Sequence, residues 1–600
     1  MIFLALIALV VCLGVYFLPV GILRLKGSAK AQDYFVAAER TPPGVIQNSS
    51  IAYAVKMAIF GPFFALGTAG DFWPAIIASA SLGLGIYLLG RLYARMLPFF
   101  RSAFESDQSF TLNEFIAQQH GHDPRVRLMS AGLSLFALFG LTICEAFGVA
   151  TILRPIAPDI PGYLIPLVML VLAAVYALPA GNSGALRSSQ AQLGMVYLSL
   201  FGSTALLLYI LMATLRRMPP HGTLALLLAA AICLVMLCYR RSRYVDTSPL
   251  DMTAAATRGA VSGREPLGGR LFRRFNKIIN VGVSTLAVVV IVFIGMALYP
   301  RGVGTVLNES AAALQGSARL SNIGLIALVL LPLLYPIVDV ANWQRFAALA
   351  KGVAPDSAGS AVWVAAVGKI ARVFAVETAL VSLFLGAFGA IAVVALRTPG
   401  GPSVLQTFVQ QLSLQQNWVA GGALSLLLIG AVMIALSTMS LTFSAGLCVL
   451  RYDILPSVRP PPALAEPRPA EEAVVRRRAV TAGSALLLVM LVVFSILAAQ
   501  LQIDFTGGGF VALVFAFCCA QLACAPLVLG PVCRAGRGVT GVSPEWALTV
   551  LGLGAGAGIG SAAIYLATGQ TPWLWAAIPA CLGSGFLVFA IARLRTPKAA

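Results

Sequence analysis

Fifteen runs of roughly membrane-spanning length and apolar character follow one another along this chain, at about 2–23, 44–69, 72–97, 128–154, 162–179, 190–214, 223–239, 278–299, 321–346, 362–396, 417–449, 479–501, 509–532, 545–567 and 572–593. A span of the bilayer core takes about 20 apolar residues as a helix. The sequence therefore predicts an all-α polytopic membrane protein with about 15 transmembrane helices. Composition agrees: apolar residues make up 59% of the 600 and charged residues 10%, where soluble chains carry roughly 25% charged residues.

The basic residues set the expected orientation, because Lys and Arg concentrate in cytoplasmic loops. With the N-terminus outside, loop 24–43 falls inside with Arg24, Lys26, Lys30 and Arg40. Loop 98–127 also falls inside, as does 240–277 with nine basic residues against three acids, and 450–478 with Arg476, Arg477 and Arg478. The C-terminus "RLRTPKAA" then ends inside, and Arg216 and Arg217 run against the pattern. The net charge of +19 belongs to these loops, which argues for a bilayer and against nucleic acid as its partner. The first run has its basic residues after it and no small-residue cleavage site, so it reads as a retained span.

No G-x-x-x-x-G-K-[ST] phosphate loop is present, and glycine-rich "GLGAGAGIG" (552–560) lies within a span, where small residues let helices approach. The ten cysteines lie in or beside apolar spans without metal-ligand spacing. His120 and His122 in "QHGHDP" read as a turn, and His221 as an isolated outer-loop residue. "RPPPALAEPRPAEE" (459–472) reads as a Pro-rich tether. No catalytic constellation is visible, and the chain is not expected to be an enzyme.

Lys56, in "AYAVKMAIF", is the residue that this class of chain explains least. A charge at bilayer depth costs at least about 2.5–3.5 kcal/mol on insertion scales. Glu145 in "LTICEAFGV", Glu377 in "VFAVETALV" and Asp339 share its depth. Together they point to a polar pathway, with the three acids as a charge or proton relay.

Four motifs in order resemble the sodium/solute symporter family: "DYFVAAERTPP" (33–43), "TLNEFIAQQHGHDPRVRLMS" (111–130), "YPIVDVANWQRFAALAKG" (335–352) and "IALSTMSLTFSAGLCVLRYDIL" (434–455). The resemblance covers about residues 1–535. It implies a leucine-transporter-like fold of two inverted five-helix repeats, with a central site beside two broken helices. The expected organisation is an extra span and cytoplasmic loop (1–43), a first repeat (44–214), two further spans with the basic loop (215–320), a second repeat (321–532) and two C-terminal spans (533–600). The two spans between the repeats depart from the family's usual, more direct passage.

The resemblance also implies a sodium site, with carbonyls of Ala52 and Val55 and hydroxyls of Ser437 and Thr438 as ligands. Two features depart from it. The family's Thr-Asp pair becomes Ser188-Ser189 in "GNSGALRSSQAQ", and Lys56 stands one residue beyond Val55. Three roles stand open for Lys56: a cation surrogate or proton site facing Ser437 and Thr438, a contact for a substrate carboxylate, or a structural pair with Glu145 or internal water. Asp339 with Arg345 reads as an inner-gate or helix-end pair. Gln47, Asn48, Tyr53, Phe60 and Tyr335 are candidate substrate contacts.

The expected function is secondary active transport of a small organic solute, by analogy a carboxylate, amino acid or similar nutrient, in a bacterial inner membrane. No cofactor is expected; sodium or a proton is the coupling ion, with Lys56 arguing for sodium independence. The alternative is a transporter-like sensor that binds a solute and signals to a separate partner.

Overall fold

The structure is a computed structural model that describes residues 43–70, 72–105, 110–161, 163–214, 220–245, 267–301, 303–315, 321–351, 357–396, 404–415, 417–458, 508–533 and 541–595, with isolated positions 14, 481, 485 and 489. The expected spans 2–23 and 479–501, most of the first motif, the Pro-rich tether and the centre of the basic loop lie outside the described residues. Among the described residues there are nine helices long and apolar enough to cross a membrane, or twelve if each of three bent pairs is one span. The apolar helix Leu164–Leu178 is shorter.

The first bent pair is α1 (Pro43–Ala54) and α2 (Met57–Ala69), which meet at 53°. α3 (Phe72–Glu105), the short α4 (Leu112–Gln119) and α5 (Pro124–Leu153) follow. α6 (Leu164–Thr214) contains a kink at Gly181, whose φ of 58° and ψ of −161° suit glycine alone. The kink separates the runs expected at 162–179 and 190–214. α7 (Pro220–Val245) and α8 (Leu267–Leu298) fall on the runs expected at 223–239 and 278–299, followed by the amphipathic α9 (Val303–Gln315).

The second bent pair is α10 (Asn322–Val338) and α11 (Val340–Lys351), at 44°. α12 (Ser357–Leu396), α13 (Val404–Leu414) and α14 (Trp418–Val449) follow, and α14 runs into a π-helical turn at Leu450–Ile454. The third pair, α15 (Gly508–Leu522) and α16 (Ala525–Cys533), bends by 41°. The sequence reading treats 509–532 as one span and passes over Pro526, which stands in the first turn of α16. α17 (Pro544–Thr568) and α18 (Thr571–Arg595) close the chain.

Packing places the breaks together. α1 contacts α6, α11 and α14; α2 contacts α5 and α12. α10 lies against α3, α15 and α18. Small residues make these approaches close: a Cβ on Gly67 would overlap the Gly386 carbonyl, and one on Gly85 would overlap the Leu333 carbonyl. In lipid, where apolar surface gains little by helix association, such fits are a main source of cohesion.

The "TLNEF" motif acts locally. Thr111 caps α4 by accepting from the Glu114 N–H at 3.1 Å, the S/T-x-x-E arrangement that favours a helix start. Its hydroxyl donates to Asp453 Oδ1 at 2.5 Å, Asn113 donates to Asp453 Oδ2 at 2.8 Å, and the Arg127 Nε lies 3.5 Å from Asp453. Arg127 also pairs with Glu114 at 2.9 Å and donates to the Tyr452 carbonyl inside the π-helical turn. This buried network pins α4 and α5 to the end of α14.

His120 has a structural role. It stands at the C-terminal end of α4, in the turn expected there, but it is fully buried. Its Nδ1 accepts from the Val542 N–H at 2.9 Å, and its Nε2 donates to the Leu527 carbonyl at 3.1 Å. It ties α4 to the C-terminal helices.

Candidate functional site

The first break is three residues wide in its hydrogen bonding. The Lys56 N–H turns back to the Ala54 carbonyl at 3.1 Å, while Ile59 and Phe60 both donate to the Lys56 carbonyl at 2.9 and 2.8 Å. In a continuous helix the carbonyls of Ala52 and Val55 would receive the Lys56 and Ile59 N–H groups. Both lose those donors here. Lys56 itself is extended, with φ −98° and ψ 157°.

The first turn of α2 is capped from another helix. Glu145 of α5 accepts from the Met57 N–H at 2.8 Å and the Ala58 N–H at 3.2 Å. A carboxylate at a helix N-terminus satisfies orphan donors and meets the positive end of the helix dipole. Gly148, one turn on, lets α5 come close, because a Cβ there would lie 2.8 Å from the Met57 Cβ.

The second break centres on Asp339, also extended at φ −67° and ψ 111°. Its Oδ1 accepts from the Ala341 N–H at 2.9 Å and the Tyr53 hydroxyl at 3.1 Å. The carbonyls released at this break are met by side chains of α11. Asn342 donates to the Pro336 carbonyl at 3.1 Å, and the Trp343 indole to Ile337 at 2.7 Å. This is how a proline-bearing break persists at membrane depth. The stretch "ANWQRF" carries this service, and polar residues placed just after a proline in a span were the available signal.

Lys56 joins the two breaks. Its Nζ lies 3.4 Å from Asp339 Oδ2, and the two side chains are 8% and 2% exposed. The ammonium also lies 3.8 Å from the centre of the Tyr53 ring and 5.2 Å from that of Tyr335. The Arg345 guanidinium rests against Tyr53 at 4.0 Å. Cation–π contact at desolvated sites reaches about 2 kcal/mol.

Two expectations are corrected by this geometry. The ammonium of Lys56 makes no hydrogen bond with Ser437 or Thr438, and its acidic partner is Asp339, not Glu145. Arg345 is not within ion-pair distance of Asp339; it donates to Asn342 Oδ1 at 2.9 Å. The physical reason is common to both. Glu145 is drawn to two helix N–H groups, which leaves Asp339 as the carboxylate that Lys56 can reach.

The remaining expected residues fall in three places. Ser437 donates to Ser189 at 3.3 Å, Ser189 donates to the Ala185 carbonyl at 2.7 Å, and the buried Thr438 hydroxyl has no protein partner. Glu377 accepts from the Tyr197 hydroxyl at 2.6 Å, joining α12 to α6. Gln47 and Asn48 lie on α1 two turns before the break, and Phe60 stacks on Phe64 at 5.9 Å. The third break adds α15 to the wall: Cys518, Val514 and Phe517 form one apolar cluster with Cys144, against which Ala58 and Tyr335 pack. None of these three α15 residues stands out in the sequence, since each is an apolar residue in an apolar run.

The neutral oxygens of Ala52, Val55, Ser437 and Thr438 are the donor chemistry that a hard cation such as sodium takes. Thr438 has no protein partner and the two carbonyls lack their helical donors, so the donor chemistry suits such a cation.

No protein-family model matches the chain, and no curated protein matches it. Among solved structures it is similar to a Na+-coupled sialic acid symporter in a substrate-bound, outward-open state, with a TM-score of 0.55 and 14% identity over 99% of this chain and 98% of that one. At this identity the likeness is one of fold. The chain is a multi-pass helical membrane protein with the leucine-transporter-like fold of that symporter.

Proposed function

We propose that this protein is a secondary active transporter of a small organic solute, residing in a bacterial inner membrane and working by alternating access around the three helix breaks. The fold likeness supports the class, since the similar structure is that of a symporter. The two five-helix repeats, 44–214 and 321–532, each open on a broken helix, and discontinuous helices at mid-membrane are where such transporters hold solute and coupling ion.

The observation that carries the reading is the buried Lys56–Asp339 pair at 3.4 Å. It supplies a fixed cation where the two broken helices meet, so solute translocation need not wait on a metal. The pair is complete without a metal ion, which leaves a proton as the coupling ion of this reading. Proton-coupled, sodium-independent transport follows. Glu377, which accepts from Tyr197 at 2.6 Å, is a further buried acid at membrane depth.

A second reading has its own observation. The unpartnered Thr438 hydroxyl and the freed carbonyls of Ala52 and Val55 favour sodium held by these groups with Ser437. Sodium would there supply a positive charge that ties α1 to α14.

Uptake of a panel of labelled nutrients into proteoliposomes separates the two. Accumulation driven by a pH gradient in sodium-free buffer supports the proton reading. Accumulation only with inward sodium, abolished by Thr438→Val, supports the other. Specific solute binding with no flux under any gradient would replace both with a sensor.

A further inference from the structure

Discontinuous transporter helices commonly turn their N-terminal ends toward the anionic group of a solute, because free N–H groups and the helix dipole favour negative charge. At this centre both such ends are already filled. The first turn of α2 holds Glu145 through Met57 and Ala58 at 2.8 and 3.2 Å. The first turn of α11 holds its own Asp339 through Ala341 at 2.9 Å. Both carboxylates are buried.

These two acids are matched by two cations, Lys56 at Asp339 and Arg345 against Tyr53. The centre is formally neutral without any ligand. A net-charged solute would leave an uncompensated charge in a desolvated space, the arrangement that buried ion pairs exist to avoid. Beside the pairs, some of its donors have no protein acceptor. Arg345, 1% exposed, has Nε and Nη2 without a protein partner, and so has the Tyr335 hydroxyl. The Tyr53 and Tyr335 rings flank the same ammonium.

We infer that Glu145 and Asp339 are built-in anions, and that the site takes an uncharged solute offering hydroxyl or carbonyl oxygens to Arg345 and Tyr335. This rests on the transport reading and narrows its solute away from the carboxylates that resemblance alone suggests.

The test uses the full chain purified in detergent, with thermal unfolding midpoints as readout. Sodium formate, sodium L-lactate and sodium N-acetylneuraminate, each compared with sodium chloride at equal ionic strength, and choline chloride added at fixed sodium and ionic strength, are expected to leave the wild-type midpoint unchanged. Glu145→Ala vacates the α2 end, and formate is expected to raise its midpoint saturably. A saturable shift of wild type by any of these ions overturns the inference, and so does a Glu145→Ala variant that folds but ignores formate. If Glu145→Ala does not fold, the wild-type comparison still decides. Failure of the transport reading would show elsewhere, as absent flux in proteoliposomes, and would not move these midpoints.

Discussion

Lys56 and Asp339 lie 283 positions apart in sequence, each in the break of its own helix, and meet there as a buried pair at 3.4 Å. Neither break is closed by its own helix alone. Each takes part of its polar satisfaction from the other, through this pair and the Tyr53 hydroxyl on Asp339 at 3.1 Å.

Removing one partner should therefore cost more than removing both. Lys56→Met or Asp339→Asn leaves a buried charge unpaired and is expected to lower stability by about 3–5 kcal/mol. The double variant should recover most of that loss. A double-mutant cycle on unfolding midpoints in detergent checks it; additive losses would refute the coupling.

The close contact of α3 with α10 should not tolerate a side chain. Gly85→Val places atoms onto the Leu333 and Pro332 carbonyls, and backbone cannot yield as a flexible side chain would. Overpacking of this kind typically costs about 1–3 kcal/mol. Gly132, whose added Cβ meets nothing within 4 Å, is the control: Gly132→Ala should leave the midpoint unchanged or raised.

The network at the end of α14 should hold α4 in place. Asp453→Asn leaves Thr111, Asn113 and Arg127 short of acceptor strength, at an expected cost of about 1–3 kcal/mol. Faster proteolytic cleavage next to α4 would accompany it. Unchanged cleavage would mean that apolar packing alone seats that helix.

His120 predicts a pH dependence. Burial, with the Arg593 guanidinium nearby, holds its pKa below the ordinary value of 6.5. The folded protein therefore binds the proton less readily than the unfolded chain. The stabilising contribution is complete above pH 6.5 and is lost as the pH falls through that value toward the lower folded pKa. The unfolding midpoint should drop as the pH is lowered below 6.5, and His120→Gln should flatten that part of the profile while lowering the midpoint at pH 8.

Much of the architecture is legible in the sequence because lipid imposes it residue by residue. Each long apolar run can only be a helix, so described helices fall on expected spans, and the proline in "YPIVDV" marks the second break. Ala52 and Val55, named through the resemblance, are the carbonyls that lose their helical donors. The α15–α16 break reads as one span, although Gln521 before it and Pro526 in the first turn of α16 mark it locally.

The partner of each buried charge belongs to tertiary structure. Sequence determined that Lys56, Glu145, Asp339 and Glu377 are charges at membrane depth and must be compensated, because an isolated one is too costly there. It could not say by what. Glu145 had one plausible ion partner in sequence, but the folded chain offers it two backbone N–H groups at the end of α2. Those groups exist as acceptor-seeking donors only because the helix is broken at Lys56. With Glu145 so engaged, Asp339 takes the lysine, and Thr438 is left with its hydroxyl free. Which charges meet depends on which helix ends face one another, and that is a property of the packed bundle rather than of any stretch of chain.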